Sequence, residues 1–169
     1  MIEYVFESIG FNGPLILFIS TNYLLFQNNS NYGIIYIIGF LLTAIVNYIL
    51  KGFFRHPRPI DNEMLFKMEE KYRQLMPFER YGMPSGHTQL VFYSTIYIYF
   101  VFKNIKILVF YLVISLLTLY QRVVSRQHFL SQTIIGAVIG GLFGYGCYKY
   151  TRDHLQGPLK MKPDDNAPI

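Results

Sequence analysis

Apolar residues in this chain gather in long stretches separated by short polar punctuation. Five such stretches occupy roughly 8–26, 32–50, 88–102, 105–121 and 129–149. A hydrocarbon core needs roughly 20 mostly apolar residues per helical crossing, within a range of about 17–25. The pattern therefore predicts about five transmembrane helices, of which the third and fourth are short. Only Lys103-Asn-Ile-Lys106 parts those two, which predicts a tight hairpin. A buried helical hairpin in a soluble protein is the alternative, but a small soluble core rarely supplies five such runs. The expected fold class is all-α, a polytopic membrane helical bundle.

Residues 51–87 form the one long polar excursion. Within it, Asp61 or Asn62 can cap a helix running to about Leu75. Met64, Leu65, Met68, Tyr72 and Leu75 share one face at helical spacing. This predicts a short amphipathic helix before the third crossing, lying on the bilayer or capping a site; an ordinary packed loop helix fits equally well. The first stretch does not read as a signal peptide, because Glu3 and Glu7 stand where a positive region belongs. The last stretch carries Gly136, Gly140 and Gly144 at small-xxx-small spacing, which suits close helix packing within the chain. Residues 1–150 are thus expected to form one membrane-embedded domain. Residues 151–169 are polar, hold Pro158, Pro163 and Pro168, and are expected to be a disordered tail.

Composition sharpens the membrane reading. Hydrophobic residues make up 52% of the chain and charged residues 15%, against about 25% charged in an average soluble domain. Tyr and Phe number 15 each, a loading that suits membrane interfaces. The formal net charge of +5 sits largely in three clusters rather than in a long basic tract, so it points to anion binding and not to nucleic acid. The single Cys147 says nothing about redox compartment. Five crossings put all three clusters and the N-terminus on one face and the C-terminus on the other. Lys103, Lys106, Lys149, Arg152, Lys160 and Lys162 fall on the C-terminal side, so the positive-inside rule favours a cytoplasmic C-terminus and a lumenal or extracytoplasmic site. The sequon Asn28-Asn29-Ser30 would then lie in a cytoplasmic loop, unused.

The clusters themselves are Lys51 through Arg58-Pro59, then Pro84-Ser85-Gly86-His87, then Arg122 with His128. Charged and imidazole side chains beside apolar runs are costly and mark function. Singly, each has a plainer role as a helix flank, a loop or an interfacial histidine; together, at helix ends on one face, they suit phosphoryl transfer. Lys51, Arg58 and Arg122 can hold phosphate oxygens. Ser85, Gly86 and His87 precede the third helix, so the backbone N–H groups there can face an anion. His128 can attack phosphorus as a neutral imidazole, and His87 can protonate the leaving oxygen and later activate water. Gln132 lies four residues after His128, where its amide oxygen can accept from the other ring nitrogen and fix the tautomer. Metal binding is the weaker competitor, since acids are few near the histidines. No metal and no cofactor are expected.

At these residues the chain resembles the type 2 phosphatidic acid phosphatase superfamily. Its motifs are Lys-x6-Arg-Pro, Pro-Ser-Gly-His and Ser-Arg-x5-His-x3-Asp. Lys51 to Pro59 and Pro84 to His87 match the first two. Arg122 and His128 match the third, with Gln121 in place of Ser and Gln132 in place of Asp. The resemblance covers roughly 45–145 and is similar in its Tyr81 to Gln89 segment to the dolichyl-diphosphatase branch. It implies metal-independent phosphate hydrolysis, usually on a six-helix core, with His128 as nucleophile, His87 as general acid and Lys51, Arg58, Ser85, Gly86 and Arg122 on the phosphate. The partners implied are a lipid phosphate substrate and membrane lipids; the oligomeric state is left open. Three functions follow as expectations. The first is a phosphatase converting a polyprenyl diphosphate to the monophosphate through a phosphohistidine. The second is a broader phosphatase for phosphatidate or phosphatidylglycerophosphate. The third, motivated by Gln121 and Gln132, is an inactive lipid-binding relative.

Overall fold

The structure, a computed structural model, describes residues 2–59 and 76–154. The expected 61–75 helix, and the tail beyond His154, lie outside the described residues. Five helices account for most of the rest: α1 (Ile2–Asn28), α2 (Ser30–Phe54), α3 (Gly86–Phe102), α4 (Ile105–Val124) and α5 (Leu130–His154). Each coincides with one apolar stretch of the sequence and outlasts it at one end or both.

Local chemistry sets the ends. Asn29 alone separates α1 from α2, and its side chain accepts from the Asn31 N–H at 3.0 Å, so one residue ends one helix and caps the next. Asn104 does the same for α4, accepting from the Lys106 N–H at 2.9 Å. Lys103 closes α3 in the left-handed conformation, with φ 50°, and completes the expected hairpin. At the far end, α5 continues to His154, four residues into the segment assigned to the tail. Thr151 explains the extension. It is fully buried, its hydroxyl donates to the Cys147 carbonyl at 2.7 Å, and it meets the Tyr97 hydroxyl at 3.2 Å.

The short α3 is the hub. It packs against all four other helices, and Val91, Tyr93, Tyr97, Ile98 and Val101 are completely buried. Gly136, Gly140 and Gly144 let α5 lie directly on it. A Cβ on Gly140 would come within 2.0 Å of the Gln89 carbonyl oxygen, and one on Gly144 within 2.6 Å of that of Tyr93. The glycine spacing therefore serves packing within the chain.

The distribution of polarity is that of a membrane protein. Leu15, Ile19, Ile38, Leu41, Ile45, Ile49, Val113, Leu116, Val138 and Leu142 face outward. Threonines, serines and tyrosines face inward, joined in pairs: Tyr36 with Ser94 at 2.7 Å, Thr95 with Ser115 at 2.8 Å, Tyr111 with Thr21 at 3.0 Å. A hydrocarbon surround leaves no drive to bury apolar side chains and makes unpaired polar groups expensive. Four helices, α1 from Phe6, α2, α4 and α5, are long and apolar enough to cross a membrane. With 17 residues, α3 is shorter than those four, and being enclosed by protein it has less need of a full span.

Candidate active site

The three sequence clusters meet at one end of the bundle. The last turns of α2 bring Lys51, and Arg55 then leaves the helix in a left-handed conformation, φ 48°. This turns the His56-Pro57-Arg58-Pro59 strip across the bundle end. The second cluster forms the start of α3, with Ser85 at the N-cap. The third occupies the turn from α4 to α5, where Arg126 also takes a left-handed conformation. In that turn the Arg122 carbonyl accepts from both the Gln127 and His128 N–H groups, at 3.0 and 3.1 Å. One peptide thus links an expected phosphate ligand to the expected nucleophile.

His128 is 3% exposed and held from two sides. Its Nδ1 lies 2.8 Å from the Gly82 carbonyl oxygen and 3.2 Å from Gln132 Oε1. A carbonyl can only accept, so Nδ1 carries the proton and Nε2 keeps its lone pair. That lone pair faces Arg58, whose Nη1 donates to it at 3.4 Å. Burial, with the charges of Arg58, Lys51 and Arg122 added, pushes the His128 imidazole well below the ordinary histidine range; the Gly82 hydrogen bond acts in the opposite direction. His128 is therefore neutral at neutral pH, with its Nε2 lone pair turned to Arg58.

Gln132 is wholly buried, and two backbone groups settle its orientation. Its Oε1 accepts from the Phe129 N–H at 3.1 Å, and its Nε2 donates to the Pro57 carbonyl at 2.7 Å. The expected contact to His128 is present, but Gly82 is the shorter partner. Gly82 also makes room: a Cβ there would sit 2.5 Å from Gln132 Oε1. Glutamine is one methylene longer than the Asp of the motif, and a residue without a side chain opposite accommodates it.

The cations surround this imidazole. Arg58 donates to the Gln127 carbonyl at 3.3 Å and the Glu79 carbonyl at 2.8 Å. Lys51, 3% exposed, is paired with the Glu79 carboxylate, which also lies 3.9 Å from Arg58. Arg122 donates from Nε to Gln121 Oε1 at 2.7 Å, and its guanidinium lies over the Phe11 ring at 5.2 Å. Gln121, standing where the motif has Ser, thus holds the arginine. The Phe11 ring in turn stands 5.7 Å from that of His87, which is in the field of Arg122, Lys51 and Arg58. Ser85 is fully buried, its N–H given to the Gln132 carbonyl at 3.0 Å and its hydroxyl 3.0 Å from that of Thr88. Gly86 opens α3 beside Asn47. Every residue expected at the site therefore lies in one connected cluster. Sequence reasoning missed Glu79, Gly82, His56 and Phe11. Among the described residues no three His, Cys, Asp or Glu side chains gather as a metal site would need.

The PAP2 superfamily matches residues 32–156, about three quarters of the chain. The chain belongs to that superfamily. Among curated relatives, the dolichyldiphosphatase of Saccharomyces cerevisiae is 31% identical over 116 residues, covering 63% of this chain and 46% of the relative. The chain thus spans about half the length of the curated relative it matches. No solved structure matches. Within the superfamily match fall all three clusters, α2 from Tyr32 onward and α3 to α5, while α1, which supplies Phe11, precedes it.

Proposed function

We propose that this protein is an integral membrane lipid phosphatase working through a phosphohistidine, with a polyprenyl, dolichyl-like diphosphate as its substrate. The observation that carries this reading is the orientation of His128, neutral, its proton held by Gly82 and its Nε2 lone pair turned to Arg58. The dolichyldiphosphatase likeness supports the choice of lipid.

In the first step Nε2 attacks the terminal phosphorus and a P–N bond forms. The P–O bond to the lipid monophosphate breaks, and His87 gives its proton to the leaving oxygen. Lys51, Arg58 and Arg122 hold the non-bridging oxygens as charge rearranges. The substrate's own negative charge offsets these cations and allows His87 to hold its proton. In the second step His87 takes a proton from water, the oxygen attacks phosphorus, and the P–N bond breaks to free phosphate. The three cations supply the positive charge, so the reaction is proposed to need no metal. By the positive-inside rule the site faces the lumen or the outside, with the C-terminus cytoplasmic.

The test is phosphate release by the purified protein in detergent with EDTA present, from a polyprenyl diphosphate and from phosphatidate in parallel. Release from the diphosphate that persists in EDTA and vanishes in a folded His128→Ala variant is expected. Preference for phosphatidate would replace the substrate assignment, and no release from either lipid would favour an inactive relative.

A further inference from the structure

His56 belongs to none of the site residues expected from the motifs, yet its ring is joined to the nucleophile through one side chain. Gln132 Nε2 lies 2.9 Å from His56 Nδ1, and Gln132 Oε1 lies 3.2 Å from His128 Nδ1. The amide is not free to choose its orientation. The Phe129 N–H can only donate and the Pro57 carbonyl can only accept, so oxygen faces His128 and nitrogen faces His56. His56 Nδ1 must then accept, with the ring proton on Nε2. The longer 3.2 Å approach of the same nitrogen to the Pro57 carbonyl is a contact and not a hydrogen bond in that tautomer.

We propose that His56 is a positioning residue for the phosphohistidine reaction: it takes the second N–H of Gln132 and, with the Phe129 N–H and the Pro57 carbonyl, holds the amide so that its oxygen orients His128. The inference rests on the proposed function for its kinetic consequences. The Asp of the motif offers two equivalent oxygens and needs no such lock. A glutamine has one oxygen and one NH2 group, and turned the wrong way it would set a donor against the donor on His128.

His56 is exposed. Arg55 and Arg58 flank it on its own strip. Opposite stands the 76–85 loop, whose Gly82 N–H donates to the His56 carbonyl at 2.8 Å and which carries Glu79, Arg80 and Tyr81. From the α5 side come Gln132, the Phe129 ring edge-on at 6.2 Å and, beyond Gln132, His128.

The test uses the full chain in detergent with 15N-labelled histidines, assigned through His56→Asn and His128→Ala. Long-range proton–nitrogen correlations should give His56 with its proton on Nε2 and His128 with its proton on Nδ1. In His56→Leu the His128 signals should shift, and in His56→Asn they should stay near those of the wild type. In His56→Asn the Asn oxygen can replace Nδ1 as acceptor, so kcat should stay near the wild-type value. His56→Leu should lower kcat roughly tenfold at neutral pH with little change in KM. A His56 proton on Nδ1, His128 signals unmoved in His56→Leu, or a His56→Leu kcat equal to that of the wild type would each overturn the proposal. If the wild type hydrolyses neither lipid, the proposed function falls, while the tautomer measurement still decides the lock.

Discussion

Both ends of this bundle bury polar groups, but they do so on different terms. Towards the far end, Tyr36 with Ser94, Tyr97 with Thr151 and Thr95 with Ser115 are neutral pairs that satisfy each other. At the site end, Lys51, Arg58 and Arg122 surround His128, and the one acid paired with them among the described residues is Glu79. The first arrangement is closed: it joins helices and needs nothing more. Among the described residues the second holds more cations than acids in a poorly hydrated place, an arrangement whose cost a bound anion would relieve. Polar burial alone therefore does not mark a site; unbalanced burial does.

The largest way to break the contrast is to separate the two ends mechanically. Gly140→Leu would drive a side chain into the Gln89 backbone, and loss of folded, monodisperse protein in size-exclusion chromatography is expected. Next comes the charged end. Arg122→Lys keeps the charge but loses the fork that Gln121 holds, and should lower kcat/KM on the order of 100-fold with the thermal midpoint nearly kept. A fall of less than twofold would remove Arg122 from the phosphate site. Glu79→Gln should lower the thermal midpoint, because Lys51 loses its counter-charge. Added phosphate should restore that midpoint and inhibit the variant at several-fold lower concentration than the wild type. Gln132→Asp removes the methylene that Gly82 accommodates and should retain activity, now without dependence on His56. The smallest effect belongs to the neutral end: Thr95→Val should cost about 0.6 kcal/mol and leave kcat/KM unchanged, a result that a drop in activity would contradict.

The two ends also differ in how far the sequence reveals them. Five apolar stretches expose the helices directly, because a hydrocarbon surround demands length and composition that leave few alternatives. The helix ends ran past those stretches where a buried polar residue such as Thr151 extended the packing. Lys51, Arg58, His87, Arg122, His128 and Gln132 are legible because side-chain chemistry at fixed spacing has few other uses. Glu79 is not, since it meets Lys51 across 28 residues within an otherwise ordinary charged loop. Gly82 is hidden for another reason: its contribution is a carbonyl, 46 residues from His128, and every residue has one. His56 meets Gln132 across 76 residues, and no local pattern encodes that pairing.

Phe11 leaves one consequence for anyone cutting this gene. The superfamily match opens at Tyr32, so a fragment beginning there would retain every motif residue. It would also lack the ring that lies over Arg122 and beside His87, and the helix whose Gly10 and Gly13 seat against Gln121 and Thr118. Such a fragment would pass any motif inspection and still have one wall of its site open to lipid. The superfamily match and the packing around Arg122 thus have separate boundaries in this chain, and the second lies a full helix upstream of the first.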